Sequence, residues 1–124
     1  LWLPGPADAQ LHAPVSALWP TRVGLIESFG DARVVDQMLA SLLCEAREDS
    51  AALDHAHMTL NVPLTAERLH RLVGSLAFLG VAELELRGMR LIEHVHTQGI
   101  VLTKPQLEAF QVDLRAYLVY LGSL

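Results

Sequence analysis

Ala66-Glu67-Arg68-Leu69-His70-Arg71-Leu72-Val73-Gly74-Ser75-Leu76-Ala77-Phe78-Leu79-Gly80 is the stretch from which both fold and chemistry can be read. Leu69, Leu72, Leu76 and Leu79 recur at spacings of three and four, the period of one apolar helix face. At about 100° of turn per residue, His70 lies roughly 140–160° from the centre of that stripe, so its imidazole is expected to face away from the core. On the same face stand Ala66 and Glu67 one turn earlier, Gly74 one turn later and Ala77 two turns later. Glycine inside a helix costs about 1 kcal/mol relative to alanine. Beside an outward histidine, Gly74 therefore predicts a surface at which another group comes close to the backbone. Gly80 is expected to end the helix as its C-cap.

Helices read outward from this stretch in both directions. Thr21 to Ser28 is a short first helix with Val23, Leu25, Ile26 and Phe29 apolar, stopped by Gly30. Asp31 is a suitable N-cap for a long helix to about Leu60. Its apolar positions are Val34, Val35, Met38, Leu42, Leu53 and Met58, and its middle (Glu45, Arg47, Glu48, Asp49) is polar on most sides. Asn61-Val62-Pro63 breaks the chain, and Thr65 is expected to cap the decisive helix, Ala66 to Leu79. A further helix runs from about Ala82 to His96 and stops at Gln98-Gly99. Thr103-Lys104-Pro105-Gln106 has the form of a capping box with proline in the first turn, which starts a last helix to about Leu121. Gly99-Ile100-Val101-Leu102, just before it, reads as a packed loop. Four substantial helices with short connections predict an all-α fold, an antiparallel up-down four-helix bundle with a short extra N-terminal helix. Residues 1–20 carry four of the six prolines and read as a linker or arm, with Trp2 and Trp19 available to dock it, ahead of a domain spanning 21–124.

The chain's 124 residues suffice for one core, and half are apolar with 19% charged, a globular profile. A formal net charge of −5 argues against a nucleic-acid binder. No apolar run approaches the ~18–20 residues that span a bilayer, so no membrane contact is expected. The single cysteine, Cys44, lies in an apolar run and reads as a small buried side chain. No glycine-rich ATP loop and no acid/base pair suited to a hydrolase appears. His55, His57, His94 and His96 fall near the ends of the second and fourth helices. They could be gathered into a metal site, but residues two apart on a helix do not share a face, and solvated helix ends are the simpler reading.

The residues around His70 resemble the histidine-containing phosphotransfer (HPt) family. Its signature is a His, with Leu two on, Lys three on, Gly four on, then a small or hydroxyl residue, and a second Gly ten on. His70, Leu72, Gly74, Ser75 and Gly80 match. Phe29-Gly30-Asp31 before a long helix and the Leu/Arg/Glu-rich helix after Gly80 are similar too, so the resemblance covers residues 21–124. The departure is Val73, where the family has its lysine. Arg71 is the nearest basic residue after His70, but it points about 100° away and would have to bend back.

This resemblance implies a phosphorelay intermediate. His70 would be the catalytic nucleophile, its neutral imidazole offering a lone pair near pH 7. It would accept a phosphoryl group from a receiver-domain aspartate and pass it to a response regulator. Glu67, Arg71, Val73, Gly74 and Ala77 would support phosphoryl access or docking. No cofactor of its own is implied, the Mg²⁺ belonging to the partner receiver domain. The implied setting is a monomeric, cytoplasmic domain at the C-terminal end of a hybrid sensor histidine kinase. A degenerate bundle of the same fold, used only to bind proteins, is the alternative that Val73 raises.

Overall fold

Three of the helices start at a side-chain cap in the computed structural model, which describes residues 19–124. Helix α1 (Arg22–Phe29) starts where the Thr21 side chain accepts from the Gly24 N–H and ends at Gly30, whose φ of 87° suits glycine. Helix α2 (Ala32–Met58) is capped by Asp31, which accepts from the Arg33 N–H. Helix α3 (Val62–Leu79) is capped by Asn61, which accepts from Leu64, and closes at Gly80 with φ 76°. Helix α4 (Ala82–Gln98) carries Glu83 and Glu85 in its first turn, where carboxylates favour the helix dipole. Helix α5 (Ile100–Gly122) follows after the single residue Gly99. The described residues contain five helices and no strand.

Each of α2 to α4 packs on its successor, and α5 returns to pack on α2, so that these four enclose one core with α1 against α2. Leu69, Leu72 and Leu76 from α3 are buried there with Val35 and Leu53 of α2, Leu91 and Val95 of α4, and Leu107, Phe110, Leu114 and Tyr117 of α5. Burying each such side chain is worth roughly 1.5–3 kcal/mol. Leu79, the fourth member of the expected stripe, packs on the core half-buried.

The structure corrects several expectations. Helix α3 begins at Val62, with Pro63 in its first turn, so Asn61 is the cap and Thr65 is a buried interior residue. Helix α5 begins at Ile100, so the apparent capping box is helix interior. Thr103 is buried and donates to the Gly99 carbonyl at 2.8 Å, while Pro105 sits on the exposed side. Ile100 and Thr103 continue the buried spacing of Leu107 and Phe110, and that burial outweighs the local capping signal. Val34 and Met58 are exposed rather than core, and Cys44 is exposed rather than buried. Residues 1–18, with Trp2 and most of the expected arm, lie outside the described residues. Trp19 does dock, with its ring 5.3 Å from Tyr117 and 5.0 Å from Tyr120, while the Tyr120 hydroxyl donates to the Pro20 carbonyl.

Candidate functional site

His70 is exposed midway along α3, opposite the Leu69/Leu72/Leu76 core face. Glu67, Arg71, Gly74 and Ala77 are exposed with it. Ala66, read as part of that face, is instead buried. Among the described residues a Cβ added to Gly74 would meet nothing within 4 Å, which leaves open space over this turn. Gly80 ends the helix as expected.

Val73 has a different environment. It turns toward α4, where Gly88 is buried, and a Cβ built on Gly88 would lie only 2.6 Å from Val73 Cγ2. The glycine is the notch that lets the two helices approach at this level. The apolar side chain at 73 is thus part of the α3–α4 packing.

On the other flank lies a charged cluster. Asp49 of α2 is buried, and its Oδ1 accepts from Arg68 Nη1 at 2.8 Å and from Arg71 Nε at 3.0 Å. A buried carboxylate needs such partners, since an unpaired charge there costs several kcal/mol. The hydrogen bond to Asp49, with its charge, raises the Arg71 guanidinium above its ordinary range. Leu42, Glu45 and Asp49 of α2 and Arg71, Gly74, Ser75 and Phe78 of α3 line a shallow groove beside the His70 face. Phe78 stacks on Phe29 of α1 with ring centroids 5.5 Å apart.

Among the described residues the remaining histidines do not form a cluster. His55 and His96 are exposed, and His94 Nδ1 lies 3.2 Å from Gln106 Oε1. His57 is buried, not solvated, with Nε2 3.5 Å from Asp54 Oδ1 and Nδ1 without a partner among the described residues. Among the described residues no group of three or more His, Cys, Asp or Glu side chains could hold a metal ion.

No protein-family model, no curated protein and no solved structure matches this chain. No helix among the described residues is long and apolar enough to cross a membrane.

Sequence reasoning missed Asp49, taken as one of several polar residues mid-helix. The available signal was Arg68 and Arg71, three apart on the flank of an otherwise apolar helix. It also missed the Ser50–Gln111–Asp54 network that joins α2 to α5, in which Ser50 Oγ donates to Gln111 Oε1 and Gln111 Nε2 donates to Asp54.

Proposed function

We propose that this chain is an HPt domain, a phosphorelay intermediate that carries a phosphoryl group on His70 between receiver domains. The observation that carries this reading is the exposed imidazole of His70 beside the open turn at Gly74. The closed cycle of helix contacts from α2 to α5 is what an antiparallel up-down four-helix bundle requires, and in that arrangement α3 carries His70 on its outer face, exposed among the described residues. Nε2 of the neutral imidazole attacks the acyl phosphate of a receiver, while most catalytic groups and the Mg²⁺ belong to that receiver. Such transfer depends mainly on positioning, so a sparse site is sufficient. The same reading gives the domain a place in a cytoplasmic hybrid sensor kinase, with a response regulator as the next acceptor.

Packing of Val73 against Gly88 favours one other reading, a bundle of this fold that docks receivers without carrying phosphate. The two separate on incubation with an aspartyl-phosphorylated receiver domain. The relay reading expects acid-labile, base-stable phosphate on His70, abolished in His70→Gln with stability unchanged within about 0.5 kcal/mol. Receiver binding without labelling would establish the docking reading instead.

A further inference from the structure

We propose that Arg71, held in place by Asp49, supplies to the phosphoryl group on His70 the positive charge that position 73 lacks. This rests on the phosphotransfer reading above. Position 73 cannot supply it, because Val73 is apolar and engaged in the Gly88 notch of α4. Lys or Arg elsewhere on α3 is limited to Arg68 and Arg71, both tied to Asp49 Oδ1. They differ in what is left over. Arg68 is largely sequestered, with its Nε buried and without a hydrogen bond. Arg71 is bound only through Nε and is half exposed, and among the described residues no hydrogen bond reaches its two terminal nitrogens. Those nitrogens carry four N–H donors on a planar fork suited to phosphate oxygens.

On the helix wheel Gly74 lies about 40° from His70 and Arg71 about 100° from it in the same sense. Around the helix, position 74 therefore falls between positions 70 and 71. Gly74 and Arg71 line the same groove. Asp49 is the positioning residue. Asp49 is shared by the two guanidinium groups, and Glu67 Oε1 lies 3.7 Å from Arg68 Nε, so the donors of the cluster left without a partner among the described residues include the terminal nitrogens of Arg71. Glu45 and Glu67 act on Arg71 from the exposed rim, where water screens them. In the transfer step the N–P bond forms at His70 Nε2 as the donor's acyl P–O bond breaks, leaving the donor carboxylate. Nδ1 keeps its hydrogen throughout. Arg71 then faces the equatorial oxygens on which negative charge is spread.

The test labels the full chain with inorganic phosphoramidate and separately with an aspartyl-phosphorylated receiver domain. His70 is expected to label in the parent. Arg71→Ala, which leaves Arg68 on Asp49 and so avoids an orphaned buried charge, is expected to slow receiver-to-His70 transfer by about tenfold or more, and Arg71→Lys to recover part of the loss. A spectroscopic signature needs no variant: the terminal N–H resonances of Arg71 should shift, and exchange more slowly with water, once His70 is phosphorylated. Parental transfer in Arg71→Ala, or Arg71 resonances unmoved by phosphorylation, overturns this proposal and leaves the assignment of His70 intact. Absence of phosphate on His70 in the parent under both donors overturns the phosphotransfer reading, and this one with it.

Discussion

Two glycines on neighbouring helices have opposite roles, and the difference lies in what a single methyl group would meet. At Gly74 a Cβ meets nothing within 4 Å among the described residues, so Gly74→Ala should hold or raise stability by up to about 1 kcal/mol. Gly74→Gln should also fold, yet transfer poorly, because its side chain would fill the space over the turn beside His70. At Gly88 the added Cβ would lie 2.6 Å from Val73 Cγ2 and 3.5 Å from Phe110, so Gly88→Ala should destabilise by about 1–3 kcal/mol despite alanine's better helix propensity. Thermal melts and receiver-dependent labelling on the same preparations check all three; a Gly88→Ala variant as stable as the parent would remove the notch. Gly74 was legible in the sequence because it shares a face with His70. Gly88 was not, since a glycine contributes nothing to hydrophobic periodicity, and only the facing Val73 reveals its purpose.

At the scale of the helices, the residues that start them were harder to read than the residues that fill them. The stripe Leu69, Leu72, Leu76 needed only spacing, and the structure buries all three. The start of α3 needed a choice between Asn61 and Thr65, both acceptable caps, and Pro63 between them reads equally as a break or as a first-turn residue. Asn61→Ala is expected to cost about 1 kcal/mol, since it removes the acceptor for the Leu64 N–H. Thr65→Val should be neutral or stabilising, because the Thr65 hydroxyl is buried and has no partner among the described residues. Urea titrations of the two variants decide the matter, and a Thr65→Val loss as large as that of Asn61→Ala would return the cap to Thr65. The start of α5 was misread for a related reason: the Thr103–Gln106 pattern is local, whereas the burial of Ile100 and Thr103 depends on helices far away in sequence.

For the whole molecule, spacing along each helix says which face is apolar but not how far one helix slides along another. Polar groups inside the α2–α5 contact supply part of that information. Gln111 is buried, exchanges hydrogen bonds with both the side chain and the carbonyl of Ser50, and donates to Asp54. Gln111→Ala should therefore lower unfolding free energy by about 2 kcal/mol or more, from lost packing and stranded polar atoms, while exposed Glu108→Ala on the same helix stays within about 0.5 kcal/mol. Chemical denaturation measures both, and equal effects would mean that the buried network does not hold the two helices in register. The pinning of Trp19 and Pro20 to α5 has a consequence of a different kind. Arg22 reaches the Leu124 carbonyl at 3.3 Å, and Leu79, at the end of α3, lines a common cavity with Leu121. Residues 20 and 124 therefore lie at the end of the bundle where α3 finishes, and nine residues of helix, roughly 14 Å, separate that end from His70. A domain tethered through either residue would start from nearly the same anchor and have the same short reach to the imidazole. Its local concentration there would depend on the length of the tether and hardly at all on which side of the bundle, N-terminal or C-terminal, it was attached.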